Sequence, residues 1–269
     1  MKTTLWLSIT SALVLLGATK TSALTLYDGS AGPTSPLTNQ GWLRPVITGV
    51  ETVSTTGTTL DTTGNFAFAD GYSYSTQTLD RTAGYNLRFD FQVNSEDHSA
   101  ASAQKNTAVD MIADRAGTSL VVLSSDQQGI ELGFWTDRIW AQADGPVKAG
   151  TANPSGTRFT QAEGAAFNTQ TATVQYDLSI KDNTYYLYVN QNYAAPLLTG
   201  SLRNYAPEGV PYTTPNFIYI GDNTTSAKGS VTLNRVEYSN TAIVPVPFAF
   251  NPLLGLALTW GVKQLRRKS

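Results

Sequence analysis

Residues 84–95 read GYNLRFDFQVNS, and the side chains alternate without a break. Leu87, Phe89, Phe91 and Val93 fall on one face of an extended chain; Asn86, Arg88, Asp90 and Gln92 fall on the other. A period of two does not fit a helix, whose apolar positions recur every three or four residues. It demands a strand with one face against an apolar layer. Whatever else the chain does, it must build a sheet and cover one side of it.

Further strand signals follow, separated by turn residues. NFAFADGYSYS alternates around Phe66 and Phe68 and crosses Asp70-Gly71; TSLVVLSSD and GIELGFW flank Asp126-Gln127-Gln128-Gly129; RIWAQADG adds a short strand. In TATVQYDLSIKDNTYYLYVNQ, Val174, Tyr176, Leu178 and Ile180 alternate inward, Asp182-Asn183 makes a turn, and Tyr186 to Val189 returns as the second arm of a hairpin. PNFIYIGDNTTSAKGSVTLNRVEYS supplies two more strands around a Gly-Asp-Asn-Thr-Thr loop. PVKAGTANPSGTRFTQAEGAAFN carries Gly and Pro with little periodicity and reads as a surface excursion. No long amphipathic helix and no fixed-period repeat is present. The expected fold class is all-β, a two-sheet jelly-roll sandwich with apolar inner and polar outer faces. Leu87, Phe89, Phe91, Leu132, Phe134, Leu178, Ile180, Ile218 and Ile220 are expected in its core.

Both ends stand apart from this pattern. Lys2 followed by the apolar run Leu5–Ala18 and the small residues Thr21-Ser22-Ala23 reads as a signal peptide over 1–23. The sandwich then occupies 24–241, roughly 220 residues, a length that suits one such domain. A Pro-rich linker and motif fill 242–252, and an apolar helix with a basic end fills 253–269. The chain holds no Cys and a single histidine, His98. Disulfides, thiolate chemistry and multi-histidine metal sites are thereby excluded. A net charge of -2 with no basic stripe before the C-terminus argues against nucleic acid as a partner.

The pieces LYDGS, NQGWL, LDRTAGYNLRFDFQV, SEDHS, DRAGTSLVVLSSD, GIELGFWTDRIWAQ and TPNFIYIGDNTTSA run from Leu26 to Ser239 in an order that resembles the bacterial choice-of-anchor Y domain. That domain belongs with the concanavalin A-like lectin/glucanase sandwiches. The resemblance implies a surface-directed protein and no particular reaction, since the group is defined by its anchors. The tail Pro247-Phe248-Ala249-Phe250-Asn251-Pro252, an apolar run and Lys263, Arg266, Arg267 and Lys268 resemble a PEP-CTERM sorting signal of the cyanobacterial type. Ala249 stands where the acidic residue of that motif is usual. The resemblance implies an exosortase-like processing enzyme as a partner, and a cell-surface or extracellular destination outside the cytoplasm.

Candidate chemistry lies on the polar faces. A glucanase of this fold needs two carboxylates about 5 to 9 Å apart. In GIELGFWTD only Glu131 is acidic on its face, with Gly133 and Trp135 at the next positions. Asp90, Asp114 or Asp137 would have to supply the second acid, so a polysaccharide hydrolase or lyase is the disfavoured alternative. Sugar sites combine aromatic platforms with planar polar groups. Arg88, Asp90, His98, Asp114, Arg115, Glu131, Trp135, Arg138 and Trp140 are therefore candidates for contacting an extracellular polysaccharide. A solvated face with ion pairs, such as Arg88 with Glu131, accounts for the same residues, and so does a structural envelope protein without a small ligand. Asp222 and its neighbours offer oxygens to a structural Ca²⁺, joined by Asp28 if the terminal strands pair, though an Asx-turn explains them too. No other cofactor is called for.

The tail is also a physical problem. Phe248 to Val262 gives about 22 Å of helix, against a bilayer core of about 30 Å. The run is apolar on nearly every side and ends in cations that hold to the cytoplasmic surface. Val244-Pro245-Val246-Pro247 removes two amide donors and favours an extended link to the sandwich. Deleting residues 248–269 is expected to release a folded domain into the medium. Loss of folding on that deletion, read by circular dichroism, would place the segment in the core instead.

Overall fold

The computed structural model describes residues 23–100, 114–146 and 156–245. The signal segment, the sorting motif Pro247, Phe248, Phe250 and Pro252, and the basic residues Lys263, Arg266, Arg267 and Lys268 lie outside the described residues.

Among the described residues fifteen strands form two antiparallel sheets, and the helical content is three short 3-10 turns together with Ser99 and Ala100. The strands in chain order are β1 (Leu24–Asp28), β2 (Leu43–Ile47), β3 (Val50–Val53), β4 (Thr58–Asp61), β5 (Asp70–Tyr74), β6 (Tyr85–Asp97), β7 (Ser119–Leu123), β8 (Gly129–Phe134), β9 (Arg138–Gln142), β10 (Gln161–Ala166), β11 (Val174–Lys181), β12 (Thr184–Val189), β13 (Leu198–Ser201), β14 (Phe217–Asp222) and β15 (Lys228–Ser239). An eight-stranded sheet runs β13-β12-β11-β6-β15-β4-β3, with β1 also on β15. A seven-stranded sheet runs β10-β9-β8-β7-β14-β5-β2. The all-β, two-sheet sandwich expected from the alternation is present.

Why the sheets face each other follows from β6. Leu87, Phe89, Phe91 and Val93 are fully buried, as are Leu178 and Ile180 of β11, Leu132 and Phe134 of β8 and Ile218 of β14, with Ile220 nearly so. All nine residues expected in the core belong to one continuous cluster. Its centre is aromatic. The Phe91 ring lies 5.0 Å from Phe134 edge to face and 4.5 Å from Tyr176, and Phe134 lies 5.3 Å from Tyr176, so one triad ties β6 and β11 to the opposing β8. Such pairs add to area burial because ring edges and faces carry opposite partial charge. At the N-terminal end Trp42 donates from Nε1 to the Leu26 carbonyl at 2.9 Å and packs 5.2 Å from Tyr74. The hairpin of β11 and β12 turns at Asp182-Asn183, with Asp182 at φ 54°, as its two-residue loop requires.

Two expectations are corrected. The stretch read as a surface excursion contains β10, which pairs with β9 at the sheet edge. Its Ala and Gly residues carry little strand propensity, and pairing with β9 together with the Tyr185 and Arg203 bonds to Glu163 holds it. The outer face of the seven-stranded sheet is also not polar: Val121, Leu123, Phe217 and Tyr219 form a second buried cluster with Tyr205 and Tyr212. The chain after β15 does not leave at once, since the Ile243 amide donates to Ser179 Oγ at 2.6 Å.

Phe134→Ala is expected to remove about 3–5 kcal/mol of stability, because it empties the centre of the triad. The urea midpoint should fall with an unchanged slope. A loss under about 1 kcal/mol would mean that the sheets do not pack at this point.

Candidate functional site

The second apolar cluster exists because the strands beneath it are apolar on both faces. In β7, Leu120 and Val122 enter the main core while Val121 and Leu123 point outward; in β14, Ile218 and Ile220 enter while Phe217 and Tyr219 point outward. Residues 202–216 cross this outer face as a strap, placing Tyr205 and Tyr212 over β8 and β7. Gly71 of β5 has no side chain where the Tyr219 ring lies, so the ring rests on the sheet and its hydroxyl donates to the Asp222 carbonyl at 2.9 Å.

Glu131 sits under the strap and is 1% exposed. Tyr212 donates its hydroxyl to Oε2 at 2.6 Å and Asn223 donates from Nδ2 to Oε1 at 2.8 Å. The Gln142 amide nitrogen faces the same carboxylate, at 2.6 and 3.1 Å from its two oxygens, and the Gln142 oxygen accepts from Arg115 at 3.1 Å. Tyr205 donates to the Gln142 carbonyl at 2.5 Å. Burial pushes the Glu131 carboxyl above the usual carboxylate range, opposed by the Tyr212 and Asn223 hydrogen bonds and the Arg115 charge. Every oxygen of Glu131 is occupied by the protein itself. The arrangement holds a strap in place and leaves no lone pair aimed at a ligand.

Beside the strap, over β14, β5 and β2, lies a pocket of about 420 Å³, within the range of small-ligand sites. Phe217 and Tyr219 line it as parallel rings, centroids 6.3 Å apart and 11° from coplanar. Val46, Val121, Val210 and Pro211 supply apolar wall; Ser73, Thr214 and Asn223 supply polar atoms. Asn223 Oδ1 is buried and has no hydrogen-bond partner.

The other half of the same face holds several residues singled out in the sequence. Trp140 lies flat over Gly133, where a side chain would collide with its ring, and it is buried with Nε1 unpaired. Trp135 packs 5.8 Å from Trp140 and donates from Nε1 to the Arg115 carbonyl at 2.8 Å. His98 stacks on Trp135 with centroids 3.9 Å apart and Nδ1 2.8 Å from Glu96 Oε2. The Glu96 hydrogen bond raises the His98 pKa, with burial acting against it. Arg138 bonds to Gln161 at 2.8 Å, Asp114 accepts from the Gln161 amide at 3.2 Å, and Arg115 lies 4.5 Å over the Phe159 ring. His98, Asp114, Arg115, Glu131, Trp135, Arg138 and Trp140 are thus brought to one side of the sandwich.

Arg88 and Asp90 are not. They stand on the outer face of the eight-stranded sheet, where Arg88 pairs with Asp177 at 3.1 Å and Glu237 at 3.3 Å. An Arg88–Glu131 pair is ruled out by this placement. Alternation shows which residues share a strand face, and carries no record of which sheet takes the strand. Asp28 and Asp222 do not meet either. Asp28 caps a 3-10 turn by accepting from Ser30, on a strand of the eight-stranded sheet. Asp222 takes the Thr62 hydroxyl at 2.7 Å and both the amide and hydroxyl of Thr224, at 3.0 and 3.1 Å. The Asx-turn is therefore formed, and among the described residues no group of three or more metal-ligating side chains occurs. Tyr205, Tyr212, Phe217, Tyr219 and Asn223 were missed as site residues. The unbroken apolar runs LVVL and FIYI were the available signal, since strands covered on both sides lose their alternation.

No family model matches the chain, and no curated protein matches it. Several solved structures are similar to it. A carbohydrate esterase from the Shiga toxin-encoding bacteriophage phi24B is 12% identical, covers 81% of this chain and 98% of its own, and has a TM-score of 0.47. The exoplasmic/lumenal domain of VIP36 in its Ca²⁺/Man3GlcNAc-bound form is 10% identical over 79% of this chain and 89% of that one, with a TM-score of 0.43. Alginate lyase A1-II', a member of polysaccharide lyase family-7, is 7% identical over 63% and 70%, with a TM-score of 0.35. The fold assignment rests on the strand register above and not on these likenesses.

The Asp222 carboxyl is pushed up to about 7 by burial, despite the hydrogen bonds from Thr62 and Thr224. The folded protein therefore binds a proton that the unfolded chain releases near pH 4. Stability from this group is fully present below about pH 4 and is lost as pH rises through about 7. Asp222→Asn is expected to make the fall in unfolding free energy between pH 4 and pH 7 shallower, by an amount of order a few kcal/mol. Parallel slopes for the two proteins in urea titrations across that range would refute the assignment.

Proposed function

We propose that this chain is an exported surface protein whose sandwich, of the concanavalin A-like type, binds extracellular polysaccharide and catalyses no reaction. The carrying observation is the pocket on the outer face of the seven-stranded sheet, with the parallel Phe217 and Tyr219 rings in its lining. Pyranose rings present C–H faces to aromatic surfaces, and their hydroxyls take up polar groups at the edge. Asn223, Ser73 and Thr214 supply such groups here.

Two features speak for binding without turnover. Glycoside hydrolysis uses two carboxylates flanking the bond, whereas the Glu131 oxygens are taken up by Tyr212, Asn223 and Gln142. Its burial beneath the strap also keeps it from the pocket. The signal-like N-terminus and the choice-of-anchor Y and PEP-CTERM resemblances support export, with membrane attachment through the tail and an exosortase-like enzyme as processing partner.

The test is a panel of extracellular polysaccharides presented to the full-length protein, followed by a reducing-end assay on every hit. Binding without release of oligosaccharide is expected. Phe217→Ala should weaken it by about tenfold, the usual effect of truncating a buried aromatic anchor. Turnover on any glycan that disappears in Glu131→Gln would replace this reading with a hydrolase or lyase. A blank panel would favour a structural envelope protein.

A further inference from the structure

Resting on the carbohydrate reading, we infer that the pocket beside the strap selects a neutral sugar bearing a methyl group, either deoxy or O-methylated, and rejects uronates. Two observations converge on this chemistry. The first is the wall. Pro45, Val46, Val121, Val210 and Pro211 enclose the space above the two rings. Val46 and Val210 form its rim and remain 45% and 84% exposed. Apolar side chains held in water at the mouth of a pocket gain from a ligand that covers them with apolar surface. A methyl substituent does so and a bare hydroxyl does not.

The second observation is charge. No Lys or Arg lines the pocket among the described residues, and its lining includes an acid, Asp222. The two nearby guanidinium groups are committed elsewhere: Arg44 to Asp70 and Glu51, and Arg115 to Gln142 and the Phe159 ring. A carboxylate entering this space would be stripped of water with no cation to meet it, an arrangement proteins avoid.

Matched polymers separate this inference from the broader one. The full-length protein is run in affinity electrophoresis against methylcellulose and carboxymethylcellulose, and against methyl-esterified pectin and polygalacturonate. Each pair shares a backbone and differs in methyl against carboxylate. The methylated member is expected to bind at least about tenfold more tightly in each pair. Val210→Lys changes an exposed residue and should leave the thermal midpoint in place while cutting or reversing that preference. Equal or tighter binding of the anionic member in either pair overturns the inference and leaves carbohydrate binding standing. Failure to bind any of the four overturns it as well; the glycan panel above then decides separately whether the protein binds carbohydrate. A preference unchanged in Val210→Lys would remove the pocket as its source.

Discussion

A carboxylate placed in the middle of a sheet has to be supplied with donors, and Glu131 draws them from three separate parts of the chain. Tyr212 comes from the strap, Asn223 from the turn after β14, and Gln142 from β9. An uncompensated buried charge costs several kcal/mol, so the three segments are held to one another by what it would cost to separate them. The chain has no cysteine, and no covalent link does this work. Once Tyr212 is fixed, Val210, Pro211 and Thr214 are fixed beside it, and the pocket has its wall. Glu131 therefore shapes the wall of a pocket from beneath the strap.

The two outer faces divide the polar and apolar roles between them. On the eight-stranded sheet, Asp177 is buried but receives Asn86, Arg88, Gln175 and Tyr193, and Arg88 continues to Glu237. That network satisfies the Asp177 carboxylate on both oxygens, as a buried charge requires, and leaves Asn86 Oδ1 unpaired. On the seven-stranded sheet the covering groups are aromatic, and the polar atoms they bury are few. Buried oxygens without a partner occur on both faces, Asn223 Oδ1 on the second and Asn86 Oδ1 and Asp90 Oδ1 on the first.

Much of the fold was legible because alternation records burial directly. The β6 pattern, the hairpin at Asp182-Asn183 and all nine core residues follow from which side chains avoid water. The site was legible only in part. Glu131, Trp135 and Trp140 were singled out because they fall at alternate or aromatic positions, and Arg88 and Asp90 met the same criterion but stand on the other sheet. The strap was invisible for a different reason. LRNYAPEGVPYTTP has no period, and its order comes from Tyr205 and Tyr212 reaching strands far away in sequence. A long-range hydrogen bond leaves no local pattern. The one local trace was on the strands it covers, in LVVL and FIYI, where both faces had lost their polarity.

That trace has a consequence for how the pocket persists. Tyr205 and Tyr212 bury rings whose hydroxyls must also be satisfied, and both reach the Glu131–Gln142 pair. Apolar packing alone would let the strap slide along the sheet, since dispersion contacts are not directional. The hydroxyl partners select one register among the many that bury equal area, which is the work that polar groups do best inside a protein. The rigidity this gives to Val210 and Pro211 is what a weakly polar ligand requires: with few hydrogen bonds to gain, it cannot offset the ordering of a loose loop. A site for a methylated neutral sugar thus needs its wall ordered beforehand, and the buried carboxylate provides that order from beneath.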